Sequence, residues 1–228
     1  MKKLLIFIFI VLAVSPLGRV IAKQPMVNEE YILIDIVQKN PEGKVEVLEF
    51  FSYACIHCYQ FEPKLKQWLK KTSSDMNFER VPAVFSNRMM PLAKLYYALE
   101  DIGMLDNFHD LVYEKIHVEK EKIFSKKAIF DWISSQPEID YDGFVASYDS
   151  FAVGRKANVA KQLTRKFRIP GTPYITIGGR YLTGPSMMVR SVDGNASEGG
   201  SNDSHDHGAS STNRLFYVVE SLIQMTNN

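Results

Sequence analysis

Cys55 and Cys58 are the only cysteines in the chain, and they stand in C-x-x-C spacing where an apolar run gives way to a helical pattern. Val45-Glu46-Val47-Leu48-Glu49-Phe50-Phe51 reads as a nearly continuous apolar strand, of the kind buried on both faces of a central sheet. From Cys55 onward Tyr59, Leu65, Trp68 and Leu69 fall on one helical face, with Pro63 inside the run and expected to kink it. A strand that delivers two thiols to a helix N-terminus is suited to redox chemistry, because the backbone field there favours a thiolate over a thiol. Two cysteines are too few for a disulfide scaffold or a self-contained zinc site. A purely structural disulfide across so short a loop restricts the unfolded chain little and adds little stability.

The N-terminus carries an export pattern. Lys2 and Lys3 precede an apolar run from Leu4 to Val14, Ser15-Pro16 breaks it, and Val20-Ile21-Ala22 offers a peptidase site after Ala22. The run falls well short of the ~20 residues that span a bilayer, so residues 1–22 are expected to be a cleaved signal peptide rather than an anchor. Export matters because a disulfide persists outside the reducing cytosol. The chain's 228 residues, 46% of them hydrophobic, can bury a core as one domain with a sizeable insertion. A formal net charge of +1 gives no reason to expect a nucleic-acid or anionic partner.

In chain order, Tyr31 to Val37 is a first strand, Val45 to Phe51 a second and Asn77 to Phe85 a third, with Pro82 pointing to a strand end or a sheet edge. Residues 87–167 read as helical throughout. Pro91 sits in a first turn, Gly103 is a stop, Ser125 a cap, Asp140 or Asp142 opens a short helix, and Ser150 to Phe167 is a longer basic one. Tyr174 to Ile177, Gly178-Gly179 and Arg180 to Leu182 form a hairpin. Residues 191–212 are rich in Gly, Ser, Asn and Asp, with His205 and His207 read as solvated loop side chains; this stretch is expected to stay flexible. Leu215 to Met225 closes the chain as an amphipathic helix. The order of elements predicts an α/β protein of thioredoxin-like fold, a central mixed sheet flanked by helices, with an inserted all-helical domain. Its parts are residues 31–86, a helical insertion at 87–150, and a second part at 151–228. Pro173, at the start of the fourth strand, falls where that plan sets a proline opposite the dithiol.

The segment Val47-Leu48-Glu49-Phe50-Phe51-Ser52-Tyr53-Ala54-Cys55-Ile56-His57-Cys58-Tyr59-Gln60-Phe61-Glu62-Pro63 resembles the active-site segment of the exported thiol:disulfide oxidoreductases of the DsbA family. Gly171-Thr172-Pro173 resembles that family's cis-proline loop. The resemblance implies a periplasmic, monomeric oxidase that donates its disulfide to newly exported proteins with free cysteines. It implies reoxidation by a DsbB-type quinone-linked membrane partner, and no cofactor or metal beyond the Cys55–Cys58 disulfide. It makes Cys55, Cys58 and His57 the catalytic candidates, Thr172 and Pro173 the substrate-binding ones, and Glu49 a buried acid. Arg80 matches a nearby basic residue of the family only loosely. Ile56 stands where well-known members have proline. The dipeptide between the cysteines tunes oxidising power, so that power is expected between those of DsbA and thioredoxin.

The residues themselves leave several alternatives open. Glu49 is either a strand-end carboxylate reaching water or a buried acid near the thiols. Tyr53, Phe50 and Phe51 are either core aromatics or an apolar surface that grips unfolded chains. A disulfide isomerase or reductase, or a non-catalytic holdase for unfolded exported proteins, are the rival functions. Ala54, where thioredoxin-type reductases usually have tryptophan, weighs against the reductase.

Overall fold

The computed structural model describes residues 23–34, 36, 43–72, 76–188 and 204–227, so the leader at 1–22 lies outside the described residues. A five-stranded mixed sheet runs in the order β1-β5-β4-β2-β3, with β1 Ile32–Leu33, β2 Val45–Phe51, β3 Met76–Pro82, β4 Tyr174–Ile177 and β5 Tyr181–Thr183. β2 pairs parallel with β3 and antiparallel with β4, which turns back on β5 through Gly178 and Gly179, both at positive φ. Every residue of β2 but Glu46 is buried, as its near-continuous apolar pattern requires of a central strand. Pro82 is the last residue of β3 on the sheet edge, where its missing N–H costs no ladder bond.

The sheet carries a core on each face. Val45, Val47, Ile175 and Ile177 pack against α1 (Ile56–Thr72) and the last helix, and Leu48 and Phe50 belong to the core formed with the remaining helices. Those are α2 Met90–Asp101, α3 Leu105–His117, α4 Lys126–Ile133, α5 Tyr141–Asp149 and α6 Phe151–Lys166. Pro91 occupies the first turn of α2, and Gly103 lies beyond its end at a φ of 72°. Ser125 and Ser150 cap α4 and α6 by accepting the N–H groups of Ala128 at 3.2 Å and Val153 at 3.1 Å. α1 runs on through Pro63 without a break in its assignment.

Two expectations are corrected. Among the described residues the first strand is two residues long, although the N–H groups of Ile34 and Ile36 continue to the carbonyls of Arg180 and Gly179 at 2.8 and 3.1 Å; residues 35 and 37 lie outside the described residues. The last helix, α7, runs Ser204–Asn227, so the C-terminal part of the stretch expected to be flexible at 191–212 is helical. Its polar residues gain order from the apolar turns that follow: Leu215, Val218, Val219 and Leu222 are fully buried against the sheet, and the helix extends N-terminally from that anchor to take in buried Thr212.

Candidate active site

β2 ends at Phe51, and a tight turn closed by the Cys55 N–H on the Ser52 carbonyl at 3.0 Å delivers Cys55 to the first turn of α1. The Ser52 hydroxyl also accepts the Ala54 N–H at 3.3 Å. Both thiols are free in this structure; Cys55 is half-buried and Cys58, at 1% exposure, is inside the core. Their environments push them apart. The Cys58 thiol donates to the Cys55 sulfur and, with the Thr172 side chain and the backbone N–H groups of Cys58 and His57, overcomes partial burial to bring Cys55 down to about 5. Burial, followed by the Cys55 sulfur beside it, drives Cys58 strongly upward, so it keeps its proton.

The loop before β4 faces this pair. Thr172-Pro173 is a cis peptide, and the Thr172 carbonyl oxygen lies 3.2 Å from Cys55 Sγ. Pro173 is buried, and its carbonyl approaches Gly184 so closely that a Cβ there would sit 3.0 Å from the oxygen. Ile56 and His57 are exposed beside the thiols, Ile56 at 40%. His57 acts on Cys55 through its backbone N–H.

Glu49 is 1% exposed, so the reading that has it reach water gives way to the buried acid. Its register partner on β3 is Arg80, whose Nε lies 3.2 Å from Glu49 Oε2 without the alignment of a hydrogen bond. Arg80 Nη2 donates instead to Glu62 Oε1 at 2.8 Å. Arg80 therefore lies between two buried carboxylates and makes an aligned hydrogen bond to Glu62 alone. Glu62, held against burial by His109 and Arg80, falls below the usual carboxylate range, while burial carries Glu49 up to about 8. Phe50, Phe51 and Tyr53 are all buried, so these are core aromatics.

The contribution of α3 to this site was not read from the sequence. His109, Tyr113 and His117 lie four residues apart in succession, on one face of the helix. His109 Nδ1 meets the Tyr53 hydroxyl at 2.8 Å and its Nε2 faces Glu62 Oε2 at 3.5 Å. His117 Nε2 meets the Tyr53 carbonyl at 2.8 Å. Two histidines at that spacing around a tyrosine were the available signal, but helical periodicity alone does not say which strand end the face meets.

A reactive, half-exposed thiol paired with a buried one at a helix start, on a thioredoxin-like sheet, defines a dithiol–disulfide exchange protein. No family model matches the chain. It is 38% identical to the thiol:disulfide interchange protein DsbA of Bordetella pertussis over 167 residues, 73% of this chain and 79% of the relative. It is 36% identical to the protein of the same name from Burkholderia cepacia, over 68% of this chain and 73% of that one. A crystal structure of a DsbA variant from Pseudomonas aeruginosa superposes with a TM-score of 0.74 at 26% identity, covering 89% of this chain and 98% of that one. The oxidoreductase DsbA from Xylella fastidiosa gives a TM-score of 0.70 at 26% identity over 90% and 98%. The chain belongs to the DsbA family of thiol:disulfide oxidoreductases.

Proposed function

We propose that this oxidoreductase works as a disulfide donor in the periplasm, after cleavage of residues 1–22, on newly exported proteins with free cysteines. The observation that carries the reading is the split between the thiols, Cys55 brought down to about 5 and Cys58 driven up. A substrate thiolate attacks the Cys55 sulfur of the oxidised pair. The Cys55–Cys58 bond breaks, Cys58 leaves with the electron pair and takes up a proton, and a Cys55–substrate disulfide forms. A second substrate thiolate attacks the substrate sulfur and displaces Cys55 as its thiolate. Two electrons have then passed from the substrate pair to the enzyme pair. A sulfur at ease as an anion leaves faster and stabilises the reduced enzyme, which is what makes the disulfide oxidising.

Cys55 is the attacked sulfur and Cys58 the resolving one. Thr172 and Pro173 form the edge along which an extended substrate lies, and His57 supplies a donor to the thiolate. Ile56 and Glu49 tune the pair. A value of about 5 for Cys55 lies between the ~3.5 of DsbA and the ~7 of thioredoxin, values that belong to those two proteins. With Ile56 between the cysteines, this supports an intermediate oxidising power. A DsbB-type membrane oxidase that passes electrons to quinone is the partner that restores the disulfide. Among the described residues no helix is long and apolar enough to cross a membrane.

The test is the redox state of Cys55 and Cys58 in the compartment, read by alkylation and gel shift. A donor is oxidised at steady state; a reduced pair means an isomerase or reductase instead. Cys55→Ala separates the donor from a holdase, because only the donor loses activity.

A further inference from the structure

Tyr53 is the second residue of the turn that delivers Cys55, and α3 holds it at three points. His109 takes its hydroxyl at 2.8 Å, and Tyr113 packs edge-on to its ring with centroids 5.0 Å apart. His117 takes its carbonyl at 2.8 Å. A carbonyl oxygen can only accept, so Nε2 of His117 carries the hydrogen and donates it. The same imidazole stacks on Tyr59, with ring centroids 5.3 Å apart and planes at 15°. Tyr53 lies two residues before Cys55 and Tyr59 one residue after Cys58, so one side chain grips both flanks of the dithiol. His117 is itself half-buried.

We propose that His117 is a positioning residue for thiol exchange, fixing the Ser52–Cys55 turn and the first turn of α1 so that the N–H groups of His57 and Cys58 point at the Cys55 sulfur. The argument is geometric. The donors that favour the Cys55 anion include backbone N–H groups of His57 and Cys58, whose direction depends on how the turn enters the helix. On the Tyr53 carbonyl side, α3 restrains this turn from outside through His117. The turn is therefore set partly by a helix that has no cysteine. That makes the helical segment a determinant of the chemistry as well as a cover for the sheet.

This inference rests on Cys55 being the reactive thiol, and the experiment separates the two. The reduced full-length mature protein is titrated by thiolate absorbance, and its thiol–disulfide equilibrium with glutathione is measured, for wild type, His117→Leu and His117→Gln. Leucine fills the site without a donor, whereas glutamine keeps an N–H within reach of the carbonyl. One hydrogen bond is worth about 1 kcal/mol net, so His117→Leu is expected to weaken Cys55 as an acid by about tenfold at most. The glutathione equilibrium shifts by the same factor toward a less oxidising enzyme, ~30 mV for a two-electron couple. His117→Gln restores most of both. If His117→Leu yields no folded protein, His117→Ser, too short to reach the carbonyl, takes its place against His117→Gln. A donor-free variant that titrates and equilibrates as wild type overturns the proposal, and so does failure of glutamine to restore. An unshifted thiol in wild type sinks the donor reading instead.

Discussion

Cys55 Sγ lies 3.2 Å from the carbonyl oxygen of Thr172, a residue 117 positions later in the chain. That contact joins the two halves of the sheet at the site, because Cys55 follows β2 and Thr172 precedes β4. A carbonyl has no proton to give. It welcomes the thiol form and opposes the anion, so the donors from Cys58, the Thr172 side chain and the helix start must outweigh it. The direction is therefore downward, and reduced wild type should show one thiol ionising with a midpoint near 5 by thiolate absorbance. Cys58 should stay protonated across the accessible range. Linkage gives the stability side. The anion favours the folded reduced protein fully above the ordinary thiol value of 9.0, and that contribution is lost as pH falls through about 5. The oxidised protein has no such group, so the gap between the reduced and oxidised melting curves should close from pH 9.0 down to about 5 and then stay flat.

Thr172→Val tests the side-chain donor alone. Valine keeps the shape of threonine and the backbone carbonyl but removes the hydroxyl that stabilises the anion. A net hydrogen bond of about 1 kcal/mol predicts a weakening of Cys55 as an acid by up to about tenfold, with the rate of alkylation near pH 5 falling in proportion. An unchanged alkylation profile would remove Thr172 from the list of groups that tune the thiol.

The parts of this site that lie along one stretch of chain were readable in advance. The C-x-x-C pair, the strand before it and the helix after it are local patterns, and Gly171-Thr172-Pro173 announced itself by its turn chemistry. The charge balance beneath the thiols was not readable, because it is assembled across the sheet. Glu49 could have been wet or dry until the β2–β3 register set Arg80 opposite it. Glu62 and His109 meet only because α3 docks on α1. The start of α7 escaped notice for a related reason. Composition reports what a segment can bury by itself, and the turns before Leu215 are held by what the later turns bury.

Glu49→Gln should stabilise the fold, in a pH-dependent way. Glu49 rises from 4.5 to about 8 because burial outweighs the attraction of Arg80, whose better-aligned bond goes to Glu62. The sign is the reverse of the usual carboxylate. Between 4.5 and about 8 the unfolded chain ionises this group while the folded protein keeps its proton, so wild type loses stability as pH rises through that window and levels off above it. Glutamine, neutral throughout, removes that slope. Urea melts should show the variant gaining on wild type by about 1.4 kcal/mol for each pH unit inside the window, roughly 5 kcal/mol at most between its ends, with no difference in slope outside it. A variant that loses ground as pH rises would mean that Glu49 is held as the anion by Arg80.

Arg214 and Glu30 form a second ion-paired centre, with consequences for the whole fold. Arg214 Nε and Nη2 donate to the two carboxylate oxygens of Glu30 at 2.6 and 2.7 Å, and Nη1 reaches the Lys23 carbonyl at 2.6 Å. Glu30 is 2% exposed, and its backbone carbonyl accepts the buried Thr183 hydroxyl at 2.6 Å. One guanidinium thus ties the first described residues to α7 and to the end of β5. Arg214→Leu leaves Glu30 a buried anion that keeps the Met26 N–H at 3.0 Å but has lost its guanidinium. Breaking a buried pair costs about 3–5 kcal/mol; the lower end applies because a fifth of the Arg214 side chain stays in water. Glu30→Gln in the same background should recover much of the loss, since the variant removes the stranded anion. The pH dependence distinguishes charge from packing. Burial raises the Glu30 carboxyl, but the Arg214 bonds hold it below the ordinary 4.5, so the pair's contribution disappears as pH falls through the folded value. Urea melts of wild type and Arg214→Leu should therefore converge in acid below 4.5, and a deficit that persists there would assign the effect to lost packing over Tyr217 rather than to the ion pair.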